Sequence, residues 1–65
     1  MYRNIVTAIV NNAKRVEKIK KVDGTIERRA VIKKLVTGEA ATQKVRLTAD
    51  EIVETVLAVE REVDA

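Results

Sequence analysis

The spacing of hydrophobic residues along the chain predicts helices. From Tyr2 to about Lys21, apolar residues recur every three or four positions, which places them on one face of a helix with lysines opposite. Asn12 occupies one of these apolar positions, as a polar residue can in a coiled-coil seam, where it sets register or oligomeric state. The alternative is an ordinary packed face with Asn12 at its edge. In both cases the pattern predicts a first helix over about residues 2–21.

A turn centred on Gly24 interrupts this pattern, and a second periodic segment follows. Its apolar residues form two adjacent pairs four positions apart, Val31 with Ile32 and Leu35 with Val36. This spacing predicts a second helix over about residues 26–37, with Gly38 as its C-terminal stop. Because the segment is rich in β-branched residues, a strand over residues 30–36 is the alternative.

The third predicted helix has the clearest start. Thr48 and Glu51 are spaced as a capping box, in which each side chain bonds the backbone amide of the other residue. Apolar residues then recur at helical spacing and predict a helix over about residues 49–63. Before it, polar and apolar residues alternate over 44–47, which predicts a short extended segment. The sequence therefore predicts an all-α fold, a three-helix unit in one small domain of residues 1–65.

Composition excludes most catalytic chemistry. The chain has 65 residues with no cysteine and no histidine, and serine is also absent. The usual nucleophiles, the near-neutral base and the commonest transition-metal ligands are therefore missing. We expect a protein that is not an enzyme and has no catalytic residues, metal site or cofactor.

The apolar segments are short. The longest uninterrupted one, residues 56–59, is far below the roughly 20 residues that span a bilayer. The N-terminal pattern is not that of a signal peptide, because a threonine interrupts its apolar patch. Without tryptophan or phenylalanine, an amphipathic helix would bind a membrane surface weakly. We therefore expect a cytoplasmic protein that does not act at a membrane.

Charge is distributed unevenly. Residues 1–36 carry ten Lys or Arg and three acids, whereas residues 48–65 carry six acids and one Arg. Two basic helices joined by a short turn are similar to a helix-turn-helix, so nucleic-acid binding is one hypothesis. Lysine and arginine side chains mainly contact phosphates and carry little sequence information. The candidate contacts for DNA or RNA are Lys14, Arg15, Lys18, Lys21, Arg28, Arg29, Lys33 and Lys34.

The favoured hypothesis is a small regulatory protein that binds a protein partner through amphipathic helices. A chain of this length buries only about 60% of the surface that it exposes when unfolded, so self-association as a homodimer is also expected. Helices with apolar residues at heptad-like spacing would provide the contacts. Some of these residues would serve the fold and others the partner. The predicted interface residues are Ile5, Ile9, Val16, Ile19, Ile52, Val56 and Val59.

Overall fold

The computed structural model describes residues 2–65, which form four α-helices and, within this range, no strand. The helices are α1 (Arg3–Val10), α2 (Ala13–Lys20), α3 (Thr25–Thr42) and α4 (Ala49–Asp64). The predicted all-α class is confirmed.

The prediction of a single first helix over residues 2–21 is wrong. This segment forms two helices, α1 and α2, which are separated at Asn11 and Asn12. Asn12 has an extended backbone (φ −101°, ψ 106°), and its Oδ1 accepts a hydrogen bond from the backbone N–H of Arg15 at 3.2 Å. Asparagine is favoured at such positions because its short side chain reaches an amide that has no helical partner. Asn12 therefore caps α2 and is not part of a continuous apolar seam.

The second predicted helix is longer than expected. The strand alternative over residues 30–36 is wrong, and Gly38 lies inside α3 rather than at its end. The helix ends four residues after Gly38, at Thr42. There the backbone N–H of Lys44 donates to the carbonyl of Ala41 (3.1 Å) and that of Val45 to the carbonyl of Ala40 (2.8 Å). Together with a φ of 57° at Lys44, this is a Schellman motif that satisfies the last carbonyls of α3.

The segment before α4 is not a strand. Residues 45–48 have no regular secondary structure, and Lys44 is in the left-handed region, so the extended segment predicted near 44–47 is not confirmed. The predicted start of α4 is confirmed. The N–H of Thr48 donates to Oε1 of Glu51 at 2.9 Å, and the N–H of Glu51 donates to Oγ1 of Thr48 at 3.2 Å. This capping box satisfies donors at the helix start and fixes the direction in which α4 leaves the link.

The core takes side chains from all four helices. α3 and α4 pack against each other in antiparallel orientation, α1 packs against both, and α2 packs against α1 and α3. The hydroxyl of the buried Thr55 donates to the carbonyl of Glu51 at 2.6 Å and so has a partner. The buried hydrophobic residues are all isoleucine, valine or alanine: Ile5, Val6, Ile9, Ile19, Ile32, Val36, Ala40, Val56, Val59 and Val63.

Candidate protein-binding groove

Three large hydrophobic side chains are exposed on the face formed by α3 and α4. Ile26 is 81% exposed, Val53 57% and Leu57 37%. They line an open groove of about 450 Å³ between the two helices, together with Ala30 of α3 and Ala49 of α4. We call this surface the α3–α4 groove. Large apolar side chains that are exposed together mark interaction sites. The hydrophobic lining of the groove therefore indicates a binding surface.

Helix geometry explains why these residues face solvent. Val53 and Leu57 are four positions apart and form one stripe of α4, whereas Val56 and Val59 lie on the adjacent stripe and reach the core. The apolar surface of α4 is thus wider than the part that the other helices cover. On the α3 wall, the small side chain of Ala30 leaves the groove concave beside Ile26.

Two ion pairs lie at one end of this face. Arg29 donates from Nε to Oε2 of Glu60 at 2.9 Å and from Nη2 to Oε1 at 3.0 Å. Beyond it, Nη1 of Arg28 lies 3.2 Å from Oδ1 of Asp64. These contacts join the start of α3 to the end of α4 and hold the two walls together. The hydrogen bonds from Arg29 lower the pKa of Glu60, and Glu60 in turn raises the pKa of Arg29.

Farther along the groove, the two walls carry charges of opposite sign. Lys33 lines the groove on the α3 side, and Lys34 follows it. Asp50 and Glu54 follow Ala49 and Val53 of the α4 wall. All four side chains are exposed and form no ion pair with any residue from 2 to 65. The groove is therefore apolar in its centre, with a basic α3 edge and an acidic α4 edge.

The predicted interface residues have two kinds of environment. Ile5, Ile9, Ile19, Val56 and Val59 are buried in the core of this single chain. Val16 of α2 and Ile52 of α4 are half-buried, and Ile52 also lines the groove together with Val56.

The sequence prediction omitted Ile26, Val53 and Leu57. A signal for two of them existed, because Val53 and Leu57 widen the apolar stripe of α4 beyond a single seam. Ile26 offered no such signal, since it lies in the first turn of α3 outside the paired pattern.

The eight predicted phosphate contacts are divided between α2 and α3 and the link that follows α2. Four of them have acidic partners: Arg15 with Glu39, Lys21 with Glu17, Arg28 with Asp64 and Arg29 with Glu60. The other four, Lys14, Lys18, Lys33 and Lys34, form no ion pair within residues 2–65.

The best-buried of these pairs joins α2 to α3. Nη1 of Arg15 lies 2.7 Å from Oε1 of Glu39, and Nε2 of Gln43 donates to Oε2 of the same carboxylate at 3.0 Å. The hydrogen bond from Arg15, followed by that from Gln43, lowers the pKa of Glu39. Glu39 is thus held ionised and fixes Arg15 against α3.

Other surfaces are less suited to binding. A larger depression of about 680 Å³ between α1 and α4 is lined by Arg3, Arg61 and Glu62 as well as by Tyr2. Among the described residues 2–65 no group of three acidic, histidine or cysteine side chains is placed to hold a metal ion. No helix in the same range has the length and hydropathy needed to cross a bilayer. The α3–α4 groove is therefore the candidate site.

Comparison with known proteins identified no relative, since no family model, curated protein or solved structure matches the chain.

Proposed function

We propose that this protein is a small non-enzymatic interaction module that binds a helical segment of another polypeptide chain in the α3–α4 groove. The observation that carries the proposal is the exposure of Ile26, Val53 and Leu57 along one groove. A partner helix that packs its apolar stripe against the α3–α4 face would remove these side chains from water. Complete burial of such a side chain contributes about 1.5–3 kcal/mol, and these three are already partly covered, so each would contribute less.

The arrangement of charges supports the same function. Protein interfaces place apolar residues at the centre and charged residues at the rim, as the groove does with Val53 at its centre and Lys33 and Glu54 at its edges. The Arg29–Glu60 ion pair holds the walls in place, so little ordering would be required on binding.

A photo-crosslinking amino acid at position 57 tests this proposal in cells that express the protein. We expect covalent adducts with a defined polypeptide, and the same probe at Lys18, on the exposed face of α2, serves as the matched control. Adding Val53→Glu should remove the adducts formed from position 57. Identical adducts from both positions, or none from position 57, would contradict the proposal.

Nucleic-acid binding is the second candidate, and one observation favours it. Lys14 and Lys18 lie one turn apart on the exposed side of α2 and have no acidic partner in the described range. With Lys33 and Lys34 they would give about four phosphate contacts, since the other four predicted contacts face acids. For four contacts, affinity for a DNA duplex should fall by about 10² between 50 and 200 mM salt.

Fluorescence anisotropy with a labelled random-sequence duplex tests this second candidate. Lys14→Gln with Lys18→Gln should reduce the salt dependence by about half, whereas Val53→Gln, which changes no charge, is the control that leaves the phosphate contacts in place. Absence of binding at 50 mM salt would remove this candidate and leave the groove proposal unaffected.

A further inference from the structure

We infer that the chain that occupies the α3–α4 groove is a second copy of this protein. In this arrangement a twofold axis runs parallel to the groove, so that α3 of each copy lies on α4 of the other. The inference rests on the proposed function and identifies its partner. It is carried by three features of the groove: its shape, its charges and its size.

The shape of the groove suits contact with an identical surface. In a twofold contact each patch must be complementary to itself, because both copies present the same residues. The α3–α4 groove carries prominent side chains, Ile26 and Val53, beside small ones, Ala30 and Ala49. An axis parallel to the groove keeps each residue at its own level, and the Arg29–Glu60 pair places Ala30 nearly level with Leu57, so Leu57 of one copy can lie over Ala30 of the other.

The charges select the direction of the axis. An axis parallel to the groove brings the α3 edge of one copy onto the α4 edge of the other, so that Lys33 faces the partner's Glu54. Lys33 and Val53 line the same groove, and Glu54 is adjacent to Val53, so a lysine side chain can span the remaining distance. An axis across the groove would instead place the basic α3 edge of one copy against the basic α3 edge of the other. Because like charges that face each other oppose association, the parallel axis is favoured.

The charged side chains on both edges are exposed and available to such a partner. Lys33, Lys34, Asp50 and Glu54 have no ion pair within residues 2–65, whereas the charged residues at the other end of the face are already paired. In the proposed dimer the basic α3 edge of each copy would face the acidic α4 edge of the other, and the twofold axis would produce this contact twice.

The length of the α3–α4 face is also compatible with a dimer interface. A protein interface of standard size takes about 800 Å² from each partner. That is roughly a sixth of the 4690 Å² surface of the chain. The 18 residues of α3 extend over about 27 Å, nearly the full 29 Å length of the molecule. One face of the α3–α4 pair can therefore provide a dimer interface.

Analytical ultracentrifugation of the whole chain, at concentrations up to about 500 μM, tests the second copy as partner. We expect a monomer–dimer equilibrium for the wild type. Leu57→Lys should weaken it at least tenfold, and Lys18→Glu, outside the groove, should leave it unchanged. Circular dichroism would verify that each variant remains helical. A wild type that stays monomeric overturns this inference, while adducts from position 57 with a different polypeptide would still support the proposed function.

Reciprocal charge variants test the direction of the axis. Lys33→Glu and Glu54→Lys should each weaken self-association about tenfold, because each places like charges across both edges of the dimer. An equimolar mixture of the two variants should form a heterodimer at least as tight as the wild-type dimer. This restoration also shows that neither variant is merely misfolded. If Lys33→Glu alone has no effect and the mixture gains nothing, α3 does not lie on the partner's α4, and the inferred arrangement is wrong.

Discussion

Arg29 and Glu60 form a two-pronged ion pair across the start of α3 and the end of α4, with nitrogen–oxygen distances of 2.9 and 3.0 Å. Arg29 also lines the α3–α4 groove. The contact therefore belongs both to the fold and to the candidate site. A planar guanidinium matches a carboxylate in this geometry, which an ammonium group cannot reproduce.

Arg29→Lys should lower the melting temperature by a few degrees although it keeps the positive charge, because it removes the two-pronged geometry. Glu60→Gln should have a similar effect, and the double variant should cost less than the sum of the two. Thermal unfolding followed by circular dichroism measures this. Arg28→Lys is the matched control with a smaller effect, since Arg28 makes a single 3.2 Å hydrogen bond to Asp64. Additive effects of Arg29→Lys and Glu60→Gln would contradict the coupling.

Acid should destabilise the fold through Glu39 and Glu60. The pKa of each is lowered in the folded chain by hydrogen bonds from arginine. Such groups contribute stability above their unfolded pKa, about 4.3, and this contribution is lost as the pH falls through the lower folded pKa. We expect urea midpoints that change little between pH 7 and 5 and decrease below about 4.5. Glu39→Gln with Glu60→Gln should flatten this decrease, so an unchanged slope would exclude these two groups as its cause.

Gly38→Ala should stabilise the protein by about 0.5–1 kcal/mol. Gly38 lies in the interior of α3, where glycine is unfavourable, and a Cβ there would meet no other atom within 4 Å. Urea unfolding measures the change. Gly24→Ala is the contrasting control and should destabilise, because Gly24 has a φ of 95° and a Cβ would overlap the carboxylate of Glu27. Stabilisation by both substitutions would refute this account of the two glycines.

Lys44→Gly should also stabilise the protein, by about 1 kcal/mol. Lys44 has a φ of 57°, a conformation that is strained for a side chain with a Cβ and free of strain for glycine. The Schellman hydrogen bonds involve only backbone atoms and would remain. Chemical denaturation at equilibrium gives the measurement, with Arg46→Gly in the following link as a control that should not stabilise. A loss of stability in Lys44→Gly would show that its side chain contributes more than its backbone strain costs.

Asn12→Ala should destabilise the protein by about 1 kcal/mol, because it removes the hydrogen bond that caps α2. Asn11→Ala is the matched control at the neighbouring position, where no side-chain hydrogen bond is present within residues 2–65, and it should cost less. Both variants can be compared by urea unfolding. Equal costs would show that the interruption between α1 and α2 does not depend on the cap.

Local signals in the sequence predict α4 well and the other helix ends poorly. The capping box of Thr48 and Glu51 needs only residues three positions apart, so its pattern is sufficient. Asn12 lies among apolar residues at regular spacing, and nothing in that spacing reveals that the backbone turns there. The sequence misplaces the end of α3, because Gly38 has the residue type of a helix stop, whereas Lys44 occupies the left-handed position.

The candidate site could be predicted only in part. The apolar stripe of α4 is wider than packing against one neighbouring helix requires. Which of its residues stay exposed depends on the positions of α1 and α3. Val56 and Val59 are covered, whereas Val53 and Leu57 are not. Ile26 is exposed because α3 begins at Thr25 with its first turn at the edge of the bundle, a placement that comes from the tertiary structure.

The interruption at Asn12 leaves α2 as a short helix with a single buried side chain, Ile19. The Arg15–Glu39 ion pair and this isoleucine are its main attachments to α3. An element with so few buried contacts opens at a lower free energy than the whole molecule unfolds. The amide protons of α2 should therefore exchange with solvent ahead of those in the centres of α3 and α4. Exchange in that order would mean that α2 opens while α1, α3 and α4, and with them the groove, remain folded.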